Sequence, residues 1–449
     1  MRKLPFLLLL AAPLGSCAVD APPRPANEAG IASLDVRRGP AASQALDAIA
    51  ADYLRLTLEI GTHEDGYIDA YYGPPELQKA AEAAPRDKDA LLAATRDLMA
   101  RTDAAARRLS DPLDRRRAAF LRAQLRAAEA RLMMMQGTRF AFADEAERLF
   151  GVRPKLKPLE TYDAELARIE ALVPGEGPLA TRVEAYLDRF TVPKQRLQKV
   201  FDAAIARCRG RSAAHIPMPA GESFRLEFVT GKSWSGYNYY QGGYHSLIQV
   251  NTDLPIRLSR ALDLGCHEGY PGHHLLNMKL EEGLAKGRGW SEFSVYPLYS
   301  PQSLIAEGSA NYGIDLAFPG TSKADTERDV LMPIAEIPVP SDDRYWQLLS
   351  AIKRASGARL TIAQQYLDGE IDRATAVALT RKYMLVSPER ADQSVRFTEQ
   401  YRSYVINYGL GETMVRAYVE RGRPSRDEMW RRMAKIVSEP TLPSDLLGR

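Results

Sequence analysis

Cysteine, tryptophan and histidine are scarce in this chain of 449 residues, which contains three, four and six of them respectively. Three cysteines are too few for the disulfide framework that stabilises small secreted proteins. The formal net charge of +3 lacks the strong basic excess of nucleic-acid-binding proteins, so no nucleic-acid partner is expected. Beyond the first residues, no apolar run is long enough to cross a membrane.

What the chain does have is the composition of a large globular protein, with 45% hydrophobic and 26% charged residues. Apolar residues recur at helical spacing over most of its length. The stretches with this pattern are 43–60, 88–108, 112–136, 160–173, 178–208, 257–281, 300–316, 342–367 and 426–438. The sequence therefore predicts a mainly α, multi-helix fold.

The amino-terminal segment has the pattern of an export signal. A basic pair, Arg2 and Lys3, precedes an apolar run over 7–12 that is too short to span a bilayer. The next four residues, Leu-Gly-Ser-Cys, resemble the lipobox of bacterial lipoproteins, in which the cysteine is acylated. The resemblance implies a signal peptide over 1–16 and lipidation of Cys17. The alternative is an ordinary cleaved signal with a cysteine nearby by chance.

Residues 17–42 are rich in proline, alanine and glycine, which predicts a flexible tether between the lipid and a folded domain over 43–449. The residue after the cysteine is Ala18 rather than aspartate, which resembles the pattern of lipoproteins sorted to the outer membrane. We therefore expect a lipoprotein that is anchored in a membrane, most simply the outer membrane, and faces the periplasm. Only Cys208 and Cys266 remain, and the pattern favours two buried thiols over a bridge between them.

A short region departs from the helical pattern. Residues 224–229 alternate apolar and polar side chains, and 246–252 form a second strand candidate. The glycine- and tyrosine-rich stretch between them, 231–243, predicts a loop that lines a peptide cleft or packs the sheet. We expect a small β-hairpin or sheet beside the next helix, with Tyr240 and Asn251 as substrate-binding candidates. Its edge either pairs with an extended peptide or only caps the core.

The next helix contains His-Glu-Gly-Tyr-Pro-Gly-His-His at 267–274, with three of the six histidines. Two histidines bind one ion from a regular helix only when they lie four residues apart. Six residues of ideal helix would rotate the second imidazole by roughly 240° and raise it by ~9 Å. The helix must therefore break between His267 and His273, and Pro271 with Gly272 supplies the break.

Imidazoles beside carboxylates are the ligand chemistry of zinc. We expect His267 and His273 to bind Zn, with His274 as the alternative second ligand. A catalytic zinc has three protein ligands, and Glu307 is our candidate for the third, because a buried carboxylate in an apolar helix needs a partner. Glu268 would act as general base, taking a proton from a water bound to the ion.

These residues resemble the signature of a bacterial family known as domain of unknown function 885, whose members are often lipoproteins. Its pattern is His-Glu-x-x-Pro-Gly-His-His followed by a Glu-Gly segment. The positions that match as they stand are His267, Glu268, Pro271, Gly272, His273, His274, Glu307 and Gly308. The likeness is firm over about 240–315 and looser elsewhere. The family resembles glutamate-ligand zinc metallopeptidases, which implies a metallopeptidase-like fold with a cleft and a peptide substrate.

Toward the carboxyl terminus the family favours Pro-Gly-Gln-Ala-x-x-Tyr-x-x-Gly. In 402–411 the tyrosine and the last glycine match as Tyr408 and Gly411, whereas the proline, glycine and glutamine are replaced. A tyrosine or arginine near the ion could stabilise an oxyanion, so Tyr408 is a catalytic candidate and Arg402 a substrate-binding one, with Tyr404 as a further possibility. A helix-packing tyrosine is the alternative.

The sequence therefore predicts zinc-dependent hydrolysis of peptide bonds in short peptides, with Glu268 as the base. The alternative is a catalytically silent lipoprotein that binds a metal or a peptide on the same fold. Asp263, one turn before His267, either supports that imidazole or lies at the surface.

Overall fold

The computed structural model describes residues 41–232 and 234–448. The signal peptide, Cys17 and nearly all of the predicted tether lie outside the described residues. Over the described ranges the chain is mainly α-helical, as predicted. The α-helices in chain order are α1 (Ala41–Gly61), α2 (Pro75–Ala83), α3 (Lys88–Ala106), α4 (Pro112–Met135), α5 (Phe142–Phe150), α6 (Asp163–Leu172), α7 (Leu179–Asp188), α8 (Leu197–Ala213), α9 (Leu258–Glu268), α10 (His273–Leu280), α11 (Pro301–Ala317), α12 (Ser322–Thr326), α13 (Met332–Ala335), α14 (Arg344–Ala355), α15 (Ala358–Leu367), α16 (Arg373–Met384), α17 (Pro388–Tyr401), α18 (Ile406–Val419), α19 (Arg426–Ser438) and α20 (Pro443–Leu447).

Shorter helical segments join some of these elements. π-Helical turns at Glu281–Lys286 and Glu327–Leu331 continue α10 and connect α12 to α13. The 3₁₀ segments are Leu159–Tyr162, Lys194–Arg196, Ser291–Ser294 and Arg402–Val405. None of the described helices is both long enough and apolar enough to cross a bilayer.

Helix boundaries follow local sequence signals where those signals are strong. The carboxylate of Asp111 accepts hydrogen bonds from two amides of the first turn of α4, and Pro112 occupies the first helical position. The predicted helix over 178–208 is two helices, α7 and α8, because Pro193 lies between them and cannot continue a helical hydrogen-bond ladder. The stretch 342–367 is likewise divided, into α14 and α15.

Two small sheets accompany the helices. Strands β1 (Ile68–Tyr71) and β5 (Val295–Pro297) form an antiparallel pair, and β2 (Ser223–Val229), β3 (Gly236–Gly242) and β4 (His245–Asn251) form a three-stranded sheet in the order β2-β4-β3. The prediction of a loop over 231–243 is wrong for most of that stretch, because β3 pairs antiparallel with β4. Tyrosine has a high propensity for β-strands, and in this stretch that propensity outweighs the low strand propensity of the flanking glycines. Strands β2 and β4 are parallel neighbours, so they are not a hairpin.

A disulfide joins Cys208 on α8 to Cys266 on α9. The expectation of two unpaired thiols is therefore wrong. A separation of 58 residues along the chain says nothing about proximity, but α8 packs along α9 and brings the two Cα atoms to 5.5 Å. The bridge fixes the end of α9, one residue before His267.

Helices α11 and α18 cross at two glycines. A Cβ atom on Gly308 would lie 2.5 Å from the backbone of Gly411, so neither position accepts a side chain without moving the helices apart. This contact sets α18 and the preceding 3₁₀ turn directly against the helix that carries Glu307. Packing therefore requires glycine at both Gly308 and Gly411.

Candidate metal centre

The helix is broken between His267 and His273, as predicted. Helix α9 ends at Glu268 and α10 begins at His273, and the Tyr270-Pro271 peptide between them is cis. The backbone at Gly272 passes so close to α9 that a Cβ atom there would lie 1.7 Å from the carbonyl oxygen of His267. Only glycine fits this path. The turn therefore returns the chain to the end of α9 and sets His273 beside His267.

Two imidazoles and one carboxylate converge at this turn. The Nε2 atoms of His267 and His273 lie 3.1 Å apart. Glu307 places Oε2 at 3.1 Å from the Nε2 atom of His267 and Oε1 at 3.8 Å from that of His273. Three ligands held at ~2.1 Å around a tetrahedral zinc would be about 3.4 Å from one another. The observed spacing of these ligand atoms fits such an ion.

The two oxygens of Glu307 have different surroundings. Oε1 accepts a hydrogen bond of 2.8 Å from the Tyr404 hydroxyl, whereas Oε2 is buried and makes no aligned hydrogen bond although the His267 ring is close. A buried carboxylate oxygen without a donor is costly, and a bound cation would remove that cost. The residues present thus fit a zinc ion, which would be held by His267, His273 and Glu307.

The ionisation of the cluster follows from its burial and from Glu307. Burial alone would lower the pKa of His267, but the contact with Glu307 raises it to about 9. For His273 burial prevails and lowers the pKa to about 4. Burial would raise the pKa of Glu307, yet the two imidazoles and Tyr404 hold it below its ordinary value. The negative charge that keeps a proton on His267 equally favours a metal cation there.

Glu268 lies beside the cluster and is almost completely buried. Burial raises the pKa of this carboxyl to about 7, and the charges of Glu307 and Asp69 add to the rise while His267 opposes it. A Cβ atom on Gly236 of β3 would lie 2.9 Å from Glu268 Oε1, so the carboxyl faces the start of that strand. A carboxyl with a pKa near neutrality can both accept and return a proton.

Sequence reasoning missed Asp69. This residue lies on β1, is partly buried and accepts a hydrogen bond from the Tyr237 hydroxyl on β3. Burial raises the pKa of its carboxyl to about 7, with a further contribution from the charge of Glu307. A single aspartate in a four-residue strand has no motif or spacing that points to the metal centre, so the sequence offered no signal for it.

The structure places His274 away from the other imidazoles. Its ring is fully buried, with Nδ1 2.7 Å from Ser246 Oγ and Nε2 3.1 Å from a carboxylate oxygen of Glu222. The same carboxylate accepts hydrogen bonds from Tyr270 and Arg209. His274 therefore ties α10 to β4 and to the turn before β2, on the far side of the broken helix.

The three predicted substrate-binding residues are engaged elsewhere. The Tyr240 hydroxyl donates to Glu281, and the Asn251 amide donates to two backbone carbonyls of the segment before β3, at 2.8 and 3.0 Å. Arg402 donates to Glu145 at 2.7 Å. None of the three has a hydrogen bond or ion pair with His267, His273 or Glu307 among the described contacts.

Unlike these three residues, Tyr408 lies near the candidate metal centre. Its ring is 5.9 Å from that of Tyr404, and burial followed by the negative charge of Glu307 raises the pKa of its hydroxyl well above the ordinary value. This phenol therefore stays protonated and able to donate. Asp263, considered as a support for His267, instead forms an ion pair of 2.5 Å with Lys323.

Comparison with known proteins finds distant likenesses only. No family model and no curated protein matches the chain, so the resemblance to domain of unknown function 885 stays a prediction. Two solved structures are similar at a low level. A candidate lipoprotein from Colwellia psychrerythraea is 12% identical, with a TM-score of 0.49 over 92% of this chain and 77% of that one. The M32 carboxypeptidase from Deinococcus radiodurans R1 is 13% identical, with a TM-score of 0.39 over 90% and 93% of the two chains.

Proposed function

We propose that this protein is a zinc-dependent peptidase that hydrolyses peptide bonds in short peptides. The observation that carries the proposal is the convergence of His267, His273 and Glu307 at the helix break, beside the carboxyl of Glu268. Two imidazoles and one carboxylate would hold zinc with three protein ligands, the number typical of catalytic rather than structural sites. The catalytic carboxyl lies outside that ligand set and remains available for proton transfer.

When bound, zinc supplies Lewis acidity that lowers the pKa of water to ~7 and polarises a carbonyl oxygen. Glu268 accepts the proton of the attacking water and delivers it to the leaving amine, a role that suits its pKa of about 7. Tyr408 donates from its protonated hydroxyl to the developing oxyanion. Tyr404 holds Glu307 in position through its hydrogen bond to Oε1.

We further propose that the peptide lies along strand β3, the edge of the three-stranded sheet next to α9. An exposed edge can pair with an extended peptide through backbone hydrogen bonds. Gly236, at the start of this strand, lies directly beside the Glu268 carboxyl, since a Cβ atom there would come within 2.9 Å of Oε1. Tyr240 and Asn251 shape this strand and the segment before it, and Arg402 fixes the turn before Tyr404. Their contact with substrate stays a prediction.

The predicted lipid anchor at Cys17 would hold the enzyme on a membrane, as predicted for the outer membrane, with the folded domain in the periplasm. The disulfide between Cys208 and Cys266 supports an oxidising compartment, because such bridges are rare in a reducing cytosol. Lipid analysis of the mature amino terminus tests the anchor, and a Cys17→Ser protein that still partitions into membranes contradicts it.

Replacement of Glu268 by glutamine tests the mechanism. The Glu268→Gln protein should bind one zinc, as measured by metal analysis, and should lose hydrolysis of a mixed peptide library by about a thousandfold or more, since the base is gone while the ligands remain. Glu76→Gln, on the exposed face of α2, is the matched control and should cleave like the wild type. Retained cleavage in Glu268→Gln contradicts the mechanism, and stoichiometric zinc in a wild type that cleaves no peptide favours the silent binding lipoprotein.

A further inference from the structure

Arg359, on α15, is a partly buried cation that forms no ion pair with an acidic side chain among the described residues. Its Nε atom is buried and makes no hydrogen bond, and burial lowers the pKa of the guanidinium. Arg117, which is more fully buried, is paired with Glu292, and Arg402 is paired with Glu145, whereas Arg381 resembles Arg359 in having a buried Nε without a hydrogen bond. An uncompensated buried charge is costly, so this position needs a reason other than stability.

The position of Arg359 relates it to the metal centre. The guanidinium carbon lies 5.3 Å from the ring centroid of Phe397 and 5.9 Å from that of Tyr408. Tyr408 is in turn 5.9 Å from the ring of Tyr404, whose hydroxyl bonds to Glu307. A short row of aromatic rings therefore leads from the third metal ligand to this arginine.

The charges along this row are arranged with opposite signs at its two ends. The pKa of Tyr408 is raised by burial and by the negative charges of Glu307 and Glu268, and is lowered by the positive charge of Arg359. The metal side also carries the carboxyl of Asp69. The positive charge of Arg359 at the far end of the row can therefore attract an anionic group of a substrate bound at the metal.

The surroundings of Arg359 suit a carboxylate in particular. Aromatic side chains on two helices contact the guanidinium, while the residue as a whole remains partly exposed. A guanidinium held in this way presents parallel N–H groups, which match the two oxygens of a carboxylate. The two spacings of 5.9 Å, from Arg359 to the Tyr408 ring and from that ring to the Tyr404 ring, place Arg359 within about 12 Å of the Tyr404 ring, a distance that three to four residues of extended peptide span.

We propose that Arg359 binds the free C-terminal carboxylate of the substrate, so that the enzyme removes residues from the carboxyl end of peptides. This inference rests on the proposed peptidase function, which it makes more specific. Arg359 determines specificity and does not contact the reacting atoms. An acidic side chain near the cleaved bond has the same chemistry as a terminal carboxylate, and the experiment separates these two sources.

The experiment measures binding, so it does not depend on hydrolysis. Zinc-loaded Glu268→Gln protein is titrated by calorimetry with N-acetyl-Ala-Phe, with its C-terminal amide, and with N-acetyl-Glu-Phe amide. The free acid should bind about tenfold or more tightly than its amide, since a charge-assisted hydrogen bond is lost in the amide. Adding Arg359→Gln should abolish that preference, and Arg359→Lys should restore part of it. Arg396→Gln, an exposed arginine beside Phe397 that pairs with Asp392, is the matched control and should keep the preference.

Equal affinity for the acid and the amide overturns the proposal, as does a preference that survives Arg359→Gln. Tighter binding of the glutamyl amide than of the free acid also overturns it, because the carboxylate would then come from a side chain. If Arg359→Gln does not fold, Arg359→Lys and the comparison of acid with amide still decide the matter. If the protein binds the free acid more tightly than the amide but the wild type hydrolyses no peptide, the peptidase proposal is wrong and the Arg359 proposal stands. If the wild type hydrolyses free and amidated peptides equally well, the Arg359 proposal is wrong and the peptidase proposal stands.

Discussion

The hydroxyl of Tyr404 donates a hydrogen bond of 2.8 Å to Oε1 of Glu307, and this contact leaves Oε2 of the same carboxylate facing His267 at 3.1 Å. Tyr404 lies in the 3₁₀ turn that precedes α18, and Glu307 lies on α11. The close crossing of these helices at Gly308 and Gly411 holds the two residues together. The orientation of this carboxylate, the proposed third ligand, thus depends on a residue that is 97 positions away in the sequence.

Tyr404→Phe should weaken zinc binding by about tenfold or more, because a ligand that loses its supporting hydrogen bond is less well oriented. The aromatic ring remains, so the helix crossing should persist. Zinc affinity is measured by competition with a chromophoric chelator. Tyr408→Phe removes a hydroxyl that does not bond to Glu307 and should leave zinc affinity unchanged. Equal zinc affinity in Tyr404→Phe and the wild type would show that Glu307 is oriented by other contacts.

Gly272→Ala should damage both stability and metal binding. Its Cβ atom would overlap the carbonyl oxygen of His267, so the turn must open and separate His273 from His267. We expect a loss of about 3 kcal/mol or more in the free energy of unfolding and at least a tenfold loss of zinc affinity. Urea denaturation and chelator competition measure the two effects.

Gly210→Ala is the matched control for that substitution. Gly210 lies on α8, and no atom would approach its Cβ within 4 Å. Alanine in a helix is preferred over glycine by ~0.5–1 kcal/mol, so this variant should be equally stable or slightly more stable. Normal zinc binding in Gly272→Ala would refute the geometry of the broken helix.

The broken helix could be predicted because its causes are local. The spacing of His267 and His273 is incompatible with one helix, and Pro271 and Gly272 lie between them. The convergence of Glu307 with the two imidazoles could be predicted for a similar reason, since a carboxylate in an apolar helix needs a partner. Such reasoning uses only distances along the chain and the costs of burial.

Features that depend on distant parts of the chain were not accessible. The parallel pairing of β2 with β4, the contact of Asp69 with Tyr237 and the bridge from Cys208 each join segments whose proximity is set by packing of the whole fold. Arg359 shows the same limit. Its sequence context is that of any helical arginine, and only the fold shows that its Nε is buried without a hydrogen bond and that its guanidinium lies beside Tyr408.

Loss of the disulfide should destabilise the protein and loosen the metal centre. A bridge that closes a loop of 58 residues contributes about 4 kcal/mol in the chain-entropy treatment. The double variant Cys208→Ala/Cys266→Ala should therefore unfold at lower urea concentration and should bind zinc several times more weakly, because Cys266 precedes His267. Wild type reduced with a phosphine should behave like the variant. An unchanged unfolding midpoint after reduction would contradict the prediction.

Glu327→Gln should stabilise the protein at alkaline pH. Glu327 is fully buried near Asp263 and Lys323, and Lys323 forms its ion pair of 2.5 Å with Asp263. Burial raises the pKa of Glu327 to about 7. The positive charge of Lys323 lowers this pKa by a smaller amount, and the negative charge of Asp263 raises it further.

The direction of the pH effect follows from proton uptake. Between the ordinary carboxyl pKa of 4.5 and about 7 the folded protein binds more protons at Glu327 than the unfolded chain does. The contribution of this group to the free energy of unfolding is therefore lost as pH rises through that window. Glutamine carries no charge and can still accept the hydrogen bond of 2.9 Å from the Trp346 indole. The variant should be more stable than the wild type at pH 8 by up to ~3 kcal/mol, with little difference at pH 5. Urea denaturation of both proteins at the two pH values gives the comparison, and a difference that is the same at pH 5 and pH 8 would show that Glu327 is ionised in the folded protein throughout.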